Sequence, residues 1–260
     1  MSQLLKVNDL TVTVGESSEA KRILDQVSFE VSPLNITALV GGSGSGKTTT
    51  GLSILNLLSS GLRLQQGEIL FNGENLVTAG GERIRKIRGG DISMVFQEPL
   101  NAFNPVFSLG YQIEEVLQAH TDLNPSQRRE RVFDLFNVVG LENPKRVAQN
   151  YPHQLSGGMR QRAMIAQAIA GDPRLIIADE PTSNLDVTLQ AHIIELFKKL
   201  KADIGFSILL ITHDLGMVEH LADDVVVMTN GRVVECGATG DVLNNPQHEY
   251  TSSLMEALQM

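Results

Sequence analysis

An α/β fold built on a largely parallel sheet is predicted by three features of the sequence. A fully apolar strand, ITALVG (Ile36 to Gly41), runs straight into a glycine-rich loop and then a helix. Two further apolar strands, RLIIADE (Arg174 to Glu180) and SILLITHD (Ser207 to Asp214), each end in polar residues. Helical patterns separate these strands, and that alternation is what parallel pairing requires.

The elements follow in order. LLKVNDLTVTV (Leu4 to Val14) alternates like an edge strand, and ILDQVSFEV (Ile23 to Val31) does the same. The charged GESSEAKR between them reads as a hairpin-like connection. These edge strands are expected to add an antiparallel layer. A helix is expected from about Lys47 through Leu58. GEILFNG (Gly67 to Gly73) is a short strand and turn, and ISMVFQE (Ile92 to Glu98) is a strand ending at a polar residue. From Pro99 to about Pro152 the pattern is helical, with its own caps and a Pro/Asn boundary at each end. It reads as a helical subdomain inserted into the α/β core. GMRQRAMIAQAIAG (Gly158 to Gly171) is a helix, and LQAHIIELFKKLKAD is a helix with apolar residues at helical spacing. VVVMTNGRVVECG is a terminal hairpin with Asn230-Gly231 at its turn.

Composition narrows the function. The 260 residues suffice for one large domain with a proper core. Apolar residues make up 42%, which suits a soluble globular protein. The net charge of −9 argues against a dedicated nucleic-acid binder. A single cysteine, Cys236, rules out an intrachain disulfide framework and suits a reduced setting; it reads as inert packing. The first residues lack the pattern of a signal peptide, and no apolar stretch approaches the ~20 residues of a membrane span.

Three motifs carry chemistry. Gly41-Gly42-Ser43-Gly44-Ser45-Gly46-Lys47-Thr48-Thr49 has the spacing of a phosphate-binding loop. Bare glycine backbone approaches phosphate oxygens closely, and the following helix N-terminus adds a favourable dipole. Lys47 would bridge the β- and γ-phosphates of ATP, and the Thr48 hydroxyl would ligate Mg²⁺. The alternative, a plain glycine turn, fits poorly between an apolar strand and a helix. In the second motif a strand delivers Asp179 next to the metal, usually through a water, and Glu180 adds a carboxylate suited to a general base. Such a pair could alone be a solvated turn. The third, Leu155-Ser156-Gly157-Gly158-Met159, opens a helix with Ser156 as N-cap. It is an anion site that one chain does not need for its own nucleotide.

These motifs, with IIADEP, SNLD and LITHD in this order, resemble an ATP-binding-cassette (ABC) transporter ATPase over nearly the whole chain. The resemblance implies a phosphate-loop, RecA-like core with an antiparallel β layer and an inserted α-helical subdomain. The domain would span residues 4–251, its core from 1–97 and 155–235, its helical subdomain 98–154, with a short C-terminal segment at 236–260. It also implies a head-to-tail dimer, with nucleotides held between one subunit's phosphate loop and the other's Leu155–Met159 segment. Gln97 matches the glutamine that senses Mg²⁺ and attacking water. His213 matches the switch histidine at the γ-phosphate, and Asp186 matches the aspartate at the dimer seam. Asn184 departs from the alanine common there. No aromatic residue stands near Val14, where the family usually stacks adenine, so modest base selectivity and affinity are expected.

Gln97 to Pro105, SGGMRQRAMIAQAIA and PQHEYTSSLMEAL resemble the peptide/nickel importer subgroup. That resemblance implies a second ATPase, two permeases docked on the segment after Gln97, an external solute-binding protein and no nucleic acid. It places the chain peripherally on the cytoplasmic face of the inner membrane. Phe103 and its neighbours would either dock there or pack within the helical subdomain. The chain resembles the first of the two ATPases. With one cysteine it cannot build the cysteine-rich iron–sulfur tail of many peptide members, and its compact form, with GGSGSGK and LADDVVVM, resembles the nickel or metal–metallophore members more closely, peptide cargo remaining the alternative. An exporter ATPase is the nearer rival. A soluble cassette acting on nucleic acid or ribosomes, or a phosphate-loop kinase or GTPase, leaves too many of these residues without work.

Overall fold

The computed structural model describes residues 3–15, 21–183 and 185–256. In chain order the strands are β1 (Leu5–Val14), β2 (Lys21–Val31), β3 (Ile36–Val40), β4 (Leu62–Phe71), β5 (Glu74–Asn75), β6 (Ile92–Val95), β7 (Leu175–Asp179), β8 (Ser207–Thr212), β9 (Asp224–Thr229) and β10 (Arg232–Ala238). The helices are α1 (Lys47–Ile54), α2 (Gly81–Ile87), α3 (Pro99–Ala102), α4 (Leu109–His120), α5 (Pro125–Val138), α6 (Pro144–Gln149), α7 (Gly157–Ile169), α8 (Val187–Ile204), α9 (Leu215–Leu221), α10 (Thr239–Asn244) and α11 (Glu249–Glu256). The fold is α/β, and the expected strands and helices appear in the expected order, joined by β5, α2, α9, α10 and α11, which were not expected from the sequence. The chain divides into two compact units, Met1–Ile84 with Phe206–Met260, and Arg85–Gly205.

The first unit holds two sheets. One is parallel at its centre: β3 pairs with β8 from Ile36↔Ile208 to Val40↔Thr212, and with β9 from Thr37↔Asp224 to Val40↔Val227. Every residue of β3 and β8 is buried, which explains their uninterrupted apolar character. Strand β10 closes this side as the antiparallel arm of a hairpin, Arg232↔Thr229, through Asn230 (φ 50°) and Gly231 (φ 76°). Two successive left-handed residues are what a two-residue hairpin turn needs. The other sheet is antiparallel, in the order β2-β1-β4-β5.

Four expectations are corrected in this unit. Strand β1 is not an edge strand; it lies between β2 and β4. Strand β4 starts at Leu62 rather than Gly67, because β1 offers a ladder reaching Val14↔Leu62 while the polar Gln65 and Gln66 break the apolar pattern. Helix α1 stops at Ile54 rather than Leu58, since Asn56 adopts φ 52° and Leu57 N–H turns back to the Leu52 carbonyl. Cys236 is exposed on β10, not packed.

The second unit pairs β6 and β7 in parallel, from Ile92↔Leu175 to Val95↔Ala178, all eight residues in that span buried. The helical run from Pro99 falls within this unit, with α7 and α8. Helix α5 opens with the reciprocal cap of Asn124 and Gln127. The amide of Gln161, buried on α7, donates to the Pro181 carbonyl at 2.6 Å and ties that helix to the turn after β7. Among the described residues, no helix is long and apolar enough to cross a membrane.

Candidate functional site

The glycine loop bridges β3 and α1. Register fixes its start, because Val40 pairs with Val227 and so brings Gly41 against Met228. A Cβ at Gly41 would lie 2.1 Å from the Met228 carbonyl oxygen, and one at Gly46 (φ 103°) would lie 2.5 Å from Leu24 Cδ2. Side chains are excluded at both positions. Lys47 is the first residue of α1 and only 8% exposed. Its Nζ donates to the Gly41 carbonyl at 2.8 Å and the Gly42 carbonyl at 3.0 Å, holding the ammonium over the loop. The Ser45 hydroxyl is buried and makes no hydrogen bond among the described residues. No side chain caps the N-terminus of α1. Ser43, Gly44 and Thr48 are placed along the same loop and helix start, and Gly42 and Thr49 are half-buried. An ammonium, an uncapped helix start and an orphaned hydroxyl on one loop are the donors an anion with several oxygens requires.

His213 follows Thr212, the partner of Val40, so it emerges level with Gly41 at the same end of adjacent strands. It is exposed, and Asp214 beside it caps α9 by accepting from Met217 N–H at 3.1 Å. One contact was absent from the sequence expectations. The hydroxyl of Tyr250, on α11, accepts a 2.8 Å hydrogen bond from Gly42 N–H.

In the second unit, Asp179 ends β7 and is 4% exposed. Glu180 follows at φ 46°, a left-handed conformation that costs a non-glycine residue of order 1–3 kcal/mol and that the surroundings must impose. Gln97 lies two residues past Val95, and Glu180 two past Ala178, so the β6/β7 register sets them side by side. Ser183 joins them: its hydroxyl donates to the Glu180 carbonyl at 2.9 Å and stands 3.4 Å from that of Gln97. Asp186 caps α8 by accepting from Leu189 N–H at 2.9 Å. Asn184 lies outside the described residues.

Leu155 is buried, whereas Ser156 and Gly157 are exposed. Ser156 Oγ accepts from Met159 N–H at 3.4 Å as the N-cap of α7. Gly158 is buried against Leu189, 3.3 Å from where its Cβ would stand, while nothing lies within 4 Å of a Cβ at Gly157. The segment therefore presents a bare helix start outward. Phe103 is buried, so it packs; its neighbours Leu100, Val106 and Phe107 are exposed, Val106 at 70%. Phe107 stacks on Tyr111 at 5.0 Å, beside a concavity of 550 Å³ that Glu114, Arg129, Lys145 and Tyr151 help line. Val14, at the end of β1, is 39% exposed with no aromatic residue in its place.

A family profile described as ABC transporter matches residues 24–183. The chain is 45% identical over 259 residues to the oligopeptide transport ATP-binding protein AppD of Bacillus subtilis, covering 99% of this chain and 79% of that protein. It is 42% identical over 255 residues to the dipeptide transport ATP-binding protein DppD of Escherichia coli, covering 98% and 78%. It is 46% identical to the peptidoglycan transport ATP-binding protein YejF of Agrobacterium fabrum, of whose length it spans 47%. Among solved structures, the ATP-binding cassette MJ0796, a dimer in a post-hydrolysis state bound to ADP and Pi, matches with a TM-score of 0.80 and 27% identity, covering 90% of this chain and 98% of that one.

Proposed function

The chain belongs to the ABC transporter family as an ATP-hydrolysing cassette, and we propose that it powers the import of peptides. What carries this reading is the 42–46% identity, over 98% or more of the chain, to proteins named for peptidoglycan, oligopeptide and dipeptide transport. Those names favour peptides over nickel within the importer subgroup.

In this reading the Lys47 ammonium and backbone N–H groups of the loop hold the phosphates of ATP, apart from those of Gly42 and Ser45, which donate to Tyr250 and the Gly42 carbonyl. The orphaned Ser45 hydroxyl and the uncapped α1 start support it. The hydroxyl of Thr48, the amide oxygen of Gln97 and, through a water, the carboxylate of Asp179 would hold Mg²⁺; all three are hard oxygen donors, the kind that ion takes. When bound, the ion neutralises charge developing on the phosphates. Glu180 takes a proton from the attacking water. His213 contacts the terminal phosphate, and its place at the β8 terminus beside Gly41 supports that role. The Ser156–Met159 helix start of one subunit closes on nucleotide held by another, with Asp186 at the seam. The outward opening at Gly157 supports that use. Closing and reopening this interface on ATP binding and hydrolysis is a sufficient engine for transport.

The helical subdomain at 98–154 transmits that movement. The apolar surface of Leu100, Val106 and Phe107 supports docking of two permeases after Gln97, at the cytoplasmic face of the membrane. A second ATPase completes the dimer, and an external binding protein delivers cargo. The test is purification of the tagged chain from membranes in mild detergent. Two permeases and a second ATPase are expected beside it; ribosomal or exclusively soluble partners would contradict the transporter reading while leaving the ATPase intact.

A further inference from the structure

The hydrogen bond between Tyr250 and the phosphate loop has no place in the roles assigned above. The peptide joining Gly41 and Gly42 is held at both ends: its carbonyl accepts from Lys47 Nζ at 2.8 Å, and its N–H donates to Tyr250 Oη at 2.8 Å. The next carbonyl, of Gly42, accepts from Lys47 Nζ at 3.0 Å and from Ser45 N–H at 3.2 Å. One phenol therefore fixes the orientation of the peptide that in turn seats the lysine. Hydrogen bonds in such a chain polarise one another. A Cβ at Gly42 would stand 3.3 Å from the Tyr250 oxygen, so the glycine gives the phenol room to approach.

Tyr250 is itself held in place. The Glu235 carboxylate on β10 accepts from Gln247 N–H at 2.8 Å and His248 N–H at 3.1 Å, capping the entry to α11. His248 Nδ1 accepts from Tyr250 N–H at 3.1 Å, and Thr251 is fully buried. Burial would raise the Glu235 carboxyl, but these two N–H groups and the His248 ring hold it below its ordinary value, so it stays an anionic anchor. The anchor stands on β10, hairpin partner of β9, whose Met228 abuts Gly41.

We propose that Tyr250 is a positioning residue of the nucleotide site, presetting the Gly41–Gly42 peptide and through it Lys47 for the phosphates of ATP. The proposal rests on the reading of this loop as the ATP site. It makes the C-terminal helix part of nucleotide binding rather than an appendage.

The test is Tyr250→Phe in the full chain, which keeps the ring and removes only the acceptor oxygen. Removing one hydrogen bond of ordinary strength predicts an ATP dissociation constant raised roughly 2- to 10-fold. Hydrogen exchange at the Gly42 amide quickens, and the melting temperature without nucleotide falls by no more than the loss of one hydrogen bond entails. A second readout uses the wild-type chain, which has three tyrosines. With 3-fluorotyrosine incorporated, the ¹⁹F resonance missing from the Tyr250→Phe chain is the one that moves on adding ATP. Unchanged affinity and Gly42 exchange in the variant, or a lowered melting temperature with unchanged affinity, would overturn the proposal. If the wild-type chain itself fails to bind ATP, the ATP-site reading falls, and this proposal with it.

Discussion

The hydroxyl of Ser183 donates to the backbone carbonyl of Glu180 at 2.9 Å, on the turn that holds Glu180 at φ 46°. The same oxygen stands 3.4 Å from the Gln97 carbonyl, so one small side chain links the two strand ends that carry a candidate base and a candidate metal sensor. A left-handed glutamate needs such support, because nothing intrinsic to its backbone favours it. Ser183→Ala removes the link without touching either carboxylate or amide. Turnover is expected to fall about fivefold, the cost of about 1 kcal/mol of positioning, with ATP affinity unchanged. Steady-state kinetics with a parallel binding measurement separates the two.

Lys47→Ala should weaken nucleotide binding itself rather than only slow its use. The ammonium is nearly buried and already aligned over the loop carbonyls, so its removal takes away both charge and preorganisation. A charge-assisted hydrogen bond contributes about 1.5–3 kcal/mol, which predicts a dissociation constant raised at least tenfold for each bond the ammonium makes to phosphate. Equilibrium titration with a fluorescent ATP analogue reads this directly.

Gly157→Asp separates a role in folding from a role toward another subunit. Nothing lies within 4 Å of a Cβ at this position, so the fold tolerates the side chain. A carboxylate at a helix N-terminus is even locally favourable. Yet in the proposed dimer it would sit where another subunit's nucleotide phosphate is received. ATPase activity of the assembled transporter should fall at least tenfold, while the melting temperature of the isolated chain does not drop.

Asp25 sets a pH limit on the first unit. It accepts from Arg22 Nη1 at 2.7 Å and Arg232 Nε at 2.7 Å, fastening β2 to the β9–β10 hairpin. The Arg232 hydrogen bond, against the opposing effect of burial and with Arg22 assisting, holds its carboxyl below the ordinary value of 3.8. A depressed folded-state pKa gives stability that is fully present above 3.8 and lost as pH falls through the folded value. Asp25→Asn should therefore lower the melting temperature near neutral pH, and the gap to wild type should close below about pH 3.8. Thermal unfolding of both chains across this range checks it; a gap independent of pH would deny the ion pair its role.

Much of this was legible in the sequence, for a physical reason. Strands β3, β7 and β8 are buried throughout, so they appear as largely apolar runs, and each leads into the site, β3 at Gly41, β7 at Asp179 and β8 at His213. The glycines at 41 and 46 mark places where a Cβ would collide. What stayed hidden depends on tertiary contacts with no local pattern. The extra length of β4 comes from pairing with β1, not from its own LRLQQ. The exposure of Cys236 follows from the edge position of β10. Ser183 and Tyr250 each act through a single hydroxyl on a backbone group, a contact that no motif spacing specifies. The segment HEYT was visible as a family resemblance, but the bond from Tyr250 to Gly42 spans 208 residues of chain.

In the proposed mechanism, hydrolysis turns on Glu180 as the base. The most direct measurement is the ATPase rate of the assembled transporter carrying Glu180→Gln, with the bound nucleotide identified in the same sample. A rate reduced at least a hundredfold is expected, the contribution of a positioned base, with unhydrolysed ATP retained in the complex. A rate equal to wild type would contradict that role.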